Sequence, residues 1–358
     1  MNTDEVGVGA ETGPVWRPTA KNFAQLVVGL GLSVILLVWG LPHFAKTTWS
    51  EVWAVLVDVP PLRAAEFLGL VLIGLWWYTF TLTGSMPGLS HARAFIVNIA
   101  GSSVSNVLPG GGAVGLAATF AICRSWGFSN RAISTSAIVT GVWNTLARIA
   151  LPVIAVVALT VGRGGMTGLL RDAAIAAIGS GLLVVVLFVG AIASEKVGRT
   201  LGRGVDRLVR PWTKRRARPV SVDALVLDLR ARIIEVVRTG WLPMTLGLVG
   251  YFGFYYLCFL LVMRTTGVDL FHGELFAAFA IGRLLTAISV TPGGVGVTET
   301  GAAAALVAFG AVPAEATAGV VLFSIFTHLL EVPLGALGWL AWSASPKGTS
   351  PPAKDPAG

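Results

Sequence analysis

Four charged side chains fall inside strongly apolar stretches: Arg148, Arg283, Glu299 and Glu331. A charge near the centre of a bilayer costs about 2.5–3.5 kcal/mol on insertion scales, so such residues stay only where something pairs or solvates them. Arg148 shares a helical stripe with Asn144 and Thr140, spaced i, i+4, i+8. Glu331 follows Thr327 and His328, with Ser324 a turn earlier. Two further features stand close by: Leu108-Pro109-Gly110-Gly111-Gly112 and Thr291-Pro292-Gly293-Gly294-Val295-Gly296. Proline removes a backbone donor and disfavours a helical residue before it. Consecutive glycines cost about 1 kcal/mol each in a helix. Each motif therefore breaks a helix, and a half-helix starting after it points free N–H groups and a positive dipole end at whatever faces it. That suits phosphate or carboxylate. The chemistry implied is the holding of an anionic group, with Arg148 and Arg283 lining its path and Glu299 and Glu331 balancing charge or carrying a proton. The plainer reading of Arg148 and Glu331 is a structural ion pair that fixes helix register.

Bond-making chemistry has little support. No Ser–His–Asp arrangement, paired carboxylate or GxxxxGK[ST] phosphate loop is present. Cys123 and Cys258 stand far apart, and His43, His91, His272 and His328 lack zinc-ligand spacing, so no catalytic residue, metal or cofactor is assigned. Gly294-x-Gly296-x-x-Glu299 lacks the third glycine and the preceding strand of a dinucleotide turn.

The elements that position these residues are membrane helices. The chain has 358 residues, 54% of them apolar and only 12% charged. A soluble domain carries about 25% charged residues. This composition excludes an ordinary cytosolic enzyme, a disulfide scaffold and a disordered tail protein. The net charge of +8 is assigned to loops retained beside a membrane, not to nucleic acid. Six apolar segments are long enough to span: about 23–41, 64–83, 131–161, 173–193, 241–263 and 316–342. Four shorter ones flank the two breaks, at about 94–108 with 113–124 and 274–290 with 295–309. The first span follows residue 22 with no clear cleavage site and reads as an uncleaved helix.

The breaks belong to an internal repeat. An offset of 183 residues places Pro109 on Pro292, Gly110 on Gly293, Gly111 on Gly294, Asn144 on Thr327 and Arg148 on Glu331. The expected fold is an all-α polytopic membrane protein of two inverted repeats. Each holds two spans, a Pro-Gly-Gly-broken half-helix pair and one long span. Repeat 1 covers 23–161 and repeat 2 covers 173–342, between a tail at 1–22 and a disordered tail at 343–358. If each pair turns back to its own side, 19 Lys and Arg residues lie on the side of the N-terminus and 5 on the other. Positive charge is retained in the cytoplasm, which places both termini and the basic loop 194–240 there. Within that loop, 221–238 has helical apolar spacing and reads as an interfacial helix or as simple charge retention. Trp76-Trp77-Tyr78 and Trp339 with Trp342 read as interface anchors. Gly247, Gly250, Gly253, Gly335 and Gly338 read as close-packing sites.

The stretch Pro292-Gly293-Gly294-Val295-Gly296-Val297-Thr298-Glu299, an apolar helix and then Phe309-Gly310, resembles the second-half signature of the lysylphosphatidylglycerol synthase transmembrane-region family. Leu108-Pro109-Gly110-Gly111-Gly112 with Cys123-Arg124-Ser125-Trp126-Gly127-Phe128-Ser129 is similar to its first-half signature. The resemblance covers roughly 23–342. It implies a flippase-like membrane domain that moves a lipid headgroup between leaflets, in a stand-alone member without the aminoacyl-transferase domain. The chain departs from the family at Phe323-Ser324-Ile325, where such proteins often carry an arginine.

The expectation is thus a multi-pass protein of the bacterial inner membrane that translocates an anionic phospholipid or lipid-linked glycolipid. Membrane lipids are its partners, and an envelope-lipid synthase is a possible one. The alternatives are an intramembrane enzyme acting on a lipid-linked group and a non-catalytic partner subunit of a synthase. The sequence leaves the oligomeric state open.

Overall fold

A computed structural model describes residues 35, 38–39, 42–43, 46–108, 111–161, 179, 222–288, 291 and 294–348, without the side chains of 160–161, 222–230 and 287–288. The expected spans at 23–41 and 173–193 lie almost wholly outside these residues. So do the N-terminal tail, most of the basic loop, the end of the C-terminal tail, and Pro109, Gly110, Pro292 and Gly293.

The described secondary structure is helical. Helix α1 (Trp49–Val57) opens on a capping box in which Thr48 and Glu51 satisfy each other's backbone N–H groups. Helix α2 (Pro61–Ser85) starts on proline, whose missing donor is harmless there. Helix α3 (His91–Val107) is capped by Ser90 and stops at Leu108, which is extended because a proline follows it. Helix α4 (Gly111–Ser125) is the second member of this broken pair. The Ser129 hydroxyl accepts from the Ala132 N–H just before the body of α5 (Asn130–Val161).

The long α6 (Val222–Thr265) merges two segments that the sequence separates. The stretch 221–238 is not a separate interfacial helix, because nothing between it and the span at 241–263 stops the helix. Gly240 is tolerated, and Pro243 is carried within it. The second broken pair is α7 (His272–Ile288) and α8 (Val297–Ala308). Then α9 (Pro313–Ser324), a π-helical turn (Ile325–Leu329) and α10 (Glu331–Ala344) run on as one rod. Among the described residues four stretches are long and apolar enough to cross a membrane: Pro61–Ser85, Asn130–Leu159, Ala231–Thr265 and Pro313–Ala344.

At the centre α2 and α6 run antiparallel. Gly84 meets Gly240, Thr81 meets Gly247, Trp77 meets Gly250, and Gly74 meets Tyr255. Glycine lets these backbones approach closely, as packing in lipid requires. Gly253 has no such neighbour. Helix α10 packs antiparallel on α3, with Gly335 and Gly338 against Ser103 and Ile99. Helix α5 packs antiparallel on α7, with Ala158 beside Gly273 and Arg148 bonded to Thr286. The contact pattern is unchanged when α2, α3, α4 and α5 are exchanged with α6, α7, α8 and the α9–α10 rod.

The two broken pairs enter from opposite ends. At one end the Trp126 indole donates to Ser345, Trp342 donates to Ser125, and Met86, Leu89 and Phe128 join the same cluster. The start of α3, the end of α4 and the end of α10 therefore lie together. At the other end Gly273 meets Ala158 and Gly267 meets Glu315, which gathers the start of α7, the end of α5 and the start of α9. A Cβ at Gly240 would collide with the carbonyl group of Gly84. Gly240→Val is expected to lower stability by about 1–3 kcal/mol, the cost of overpacking. Thermal unfolding in detergent checks this; an unchanged midpoint would contradict the packing.

Candidate functional site

The tips of the two pairs meet around a polar cavity of about 530 Å³ in the middle of the bundle. Its wall carries Ser102, Ser105 and Asn106 from α3, Gly111 and Gly112 from α4, and Arg148 from α5. The other half supplies Tyr251 and Tyr255 from α6, Arg283 and Thr286 from α7, Thr291 at the second break, and Thr327, His328 and Glu331. The π-helical turn, held by the Leu330 N–H on the Ile325 carbonyl, sets the register that brings these last three to one face.

The charged groups are held with little compensation. Arg148 donates to the Thr286 hydroxyl at 2.7 Å, and its Nε has no hydrogen-bond partner. Arg283 is 7% exposed; its guanidinium carbon lies 5.7 Å and 5.4 Å from the Phe279 and Phe323 ring centres. Its Nε also lacks a partner. Glu331 accepts from Asn106 Nδ2 at 2.9 Å and from the Tyr255 hydroxyl at 3.3 Å. Among the described residues the ion pairs are Arg63–Glu66 and Arg264–Asp269, so neither cavity arginine is neutralised by a carboxylate. The cavity thus sets two guanidinium groups against one carboxylate, with N–H donors to spare. The half-helix α4 begins at its wall, adding a positive dipole end.

A second cavity, of about 340 Å³ and lined by apolar as well as hydroxyl and amide side chains, adjoins the first through Ser102, Ser105 and Gly112. It runs past Asn98, Thr119, Thr140 and Asn144 to Met86, Leu89 and Cys123, toward the end where the α3–α4 pair begins and finishes. No charged side chain lines it.

The family model described as Lysylphosphatidylglycerol synthase TM region matches residues 26–335. The chain belongs to this family. No curated protein matches the sequence. Membership makes it a membrane domain of the lysylphosphatidylglycerol synthase kind, with a lipid-related role.

In this family member the structure sorts the residues singled out from sequence. Gly111, Gly112, Arg148, Arg283 and Glu331 share the central cavity. Asn144 borders the adjoining one and donates to the Tyr78 hydroxyl at 2.8 Å. Glu299 does not reach the central cavity. It is 1% exposed, one oxygen accepts the Gly296 N–H at 2.6 Å, and the other accepts from Ser324. Gly294 and Gly296 take positive φ of 78° and 90° in the turn that makes this cap possible, so their glycine character serves the backbone. Pro109, Gly110, Pro292 and Gly293 lie outside the described residues. Arg148 and Glu331 face one cavity without pairing, so the ion-pair reading fails in this arrangement.

Tyr251 and Tyr255 are cavity residues that sequence reading missed. Their i, i+4 spacing puts both on one face of α6, and that was the available signal. Tyr78 reads as an interface anchor from sequence, yet its hydroxyl turns inward and accepts from Asn144. Because no ion pair joins Arg148 to Glu331, Glu331→Ala is expected not to rescue any defect of Arg148→Ala. Unfolding temperatures of the single and double variants check this; restored stability in the double variant would contradict the geometry.

Proposed function

We propose that this protein translocates an anionic phospholipid or lipid-linked glycolipid between the leaflets of a bacterial inner membrane. The observation that carries the reading is the central cavity, where Arg148 and Arg283 hold unspent N–H donors beside the start of α4. Burying two guanidinium groups so sparsely bonded is costly unless an anion completes them. A lipid phosphate has the charge and the acceptors to do so. Glu331, held by Asn106 and Tyr255, keeps the site from being uniformly positive.

The chain of such a lipid also has a place. An apolar cavity of about 570 Å³ is lined by Trp143, Ala147, Leu151, Leu248, Val249 and Phe252. These residues interleave with Arg148 and Tyr251 on α5 and α6, so headgroup and hydrocarbon would be served by the same two helices. The fold supports treating the two exchangeable sets of helices as inverted repeats with interrupted helices, an architecture of alternating-access transporters. The distribution of Lys and Arg supports placing both termini in the cytoplasm. With no nucleotide-binding loop in the sequence, movement is downhill or ion-coupled.

The experiment is leaflet exchange in proteoliposomes with labelled phosphatidylglycerol. The intact protein is expected to accelerate exchange. Arg148→Ala and Arg283→Ala are each expected to slow it about 10–100-fold, the loss attached to a hydrogen bond with a charged group. Chemical conversion of the lipid would instead indicate an intramembrane enzyme. Neither exchange nor conversion would favour a partner subunit of an envelope-lipid synthase.

A further inference from the structure

Beside the central cavity lies a constricted void of about 20 Å³, room for about one water, whereas the adjoining cavity of about 340 Å³ forms a roomy vestibule. Its wall includes Arg283, which it shares with the central cavity. The 183-residue offset maps this void onto the vestibule. Gly115, Leu116, Thr119, Ala137, Thr140 and Gly141 line the vestibule, and their counterparts Thr298, Glu299, Ala302, Val320, Phe323 and Ser324 all line the void. The two spaces are the same place in two halves, one of about 340 Å³ and one almost shut.

The substitutions between the halves account for the difference. Where the vestibule has Ala137 and Thr140, the void has Val320 and Phe323, whose bulk fills it. Phe323 also packs edge-on against Phe259 and under the Arg283 guanidinium. Where the vestibule has Leu116 and Gly141, which cannot bond, the void has Glu299 and Ser324, and the Ser324 hydroxyl donates to Glu299. That bond ties α8 to α9. Glu299 needs only its other oxygen for the cap on Gly296, so the tie can open without uncapping α8.

We propose that this void is a latent second vestibule, a headgroup half-site closed here by the Glu299–Ser324 bond and the Phe323 side chain. The proposal rests on the lipid-translocation reading and deepens it. It assigns a phosphate-bearing headgroup a route out toward the end where the α7–α8 pair begins, past Arg283. Arg283 faces both spaces, so it can keep hold of the phosphate while the second side opens. Glu299 then acts as a latch, distinct from the substrate-contacting role expected of it from sequence.

The test uses the full chain with Cys123 and Cys258 replaced by serine, in sealed proteoliposomes, with a membrane-impermeant maleimide applied to either face. Thr119→Cys is expected to react from the face carrying residues 86–90, and Ala302→Cys to stay unlabelled. Adding Phe323→Thr and Ser324→Gly gives the closed half the open half's residues at the two positions that plug and latch it. Labelling of Ala302→Cys is then expected to rise roughly tenfold, from the opposite face, as a minor open state becomes populated. Ser324→Ala alone is expected to raise it by less, and decides the matter if the fuller variant unfolds early. No rise in a folded variant, or labelling from the same face as Thr119→Cys, would overturn the proposal. The readout needs no lipid, so absence of lipid exchange would remove the transport reading without touching this result. Exchange with Ala302→Cys still closed would remove the latent site alone.

Discussion

Two guanidinium groups in the middle of a lipid-embedded bundle must be solvated by something. Hydrocarbon cannot do it, and each exposed or unpaired charge there is expensive. The arrangement of this protein follows from that demand. Arg148 and Arg283 come from equivalent regions of neither half but from facing helices, α5 and α7, that pack on each other. Among the described residues neither pairs directly with a carboxylate, and a polar space is built around them from serine, threonine, asparagine and tyrosine side chains, with Glu331 in the same wall. The breaks in the two short pairs belong to the same solution. Half-helices that stop in mid-bundle leave backbone groups unpaired, and such groups are tolerated only against a polar cavity.

The near-symmetry of the fold makes its departures informative. Each long helix places a charged residue at the same offset position, Arg148 in one half and Glu331 in the other. Each bonds to the first half-helix of the opposite set, Arg148 to Thr286 and Glu331 to Asn106. The geometry is reciprocal while the charges are opposite. The breaks differ as well. The start of α4 borders the cavity, whereas the start of α8 is sealed by the carboxylate of Glu299. One architecture thus holds a receptive end and a self-capped end.

Much of the scaffold was legible in the sequence, because its signals are local. The interruptions between α3 and α4 and between α7 and α8, the four short helices, and four of the long spans follow from proline, glycine and apolar run length. The fusion of 221–238 with the following span into α6 was not legible, since the polar-to-apolar change at that point resembles a boundary while the backbone meets no breaker strong enough to stop it. For the site, charge in an apolar run pointed to Arg148, Arg283 and Glu331 directly. Glu299 carried the same signal but serves as a cap. A buried carboxylate three residues into a helix has two uses, and only the position of Gly296 N and Ser324 Oγ separates them. Tyr251 and Tyr255 escaped because tyrosine in an apolar span usually marks an interface; which way a helix face turns depends on packing that single-chain periodicity does not encode.

The most direct measurement is a cryo-EM map of the protein in nanodiscs containing phosphatidylglycerol. The account predicts phosphate-shaped density in the central cavity, within hydrogen-bond reach of the Arg148 or Arg283 guanidinium and lost in the Arg148→Ala, Arg283→Ala double variant. A central cavity closed by protein side chains, with lipid density confined to the outer rim of the bundle, would contradict it.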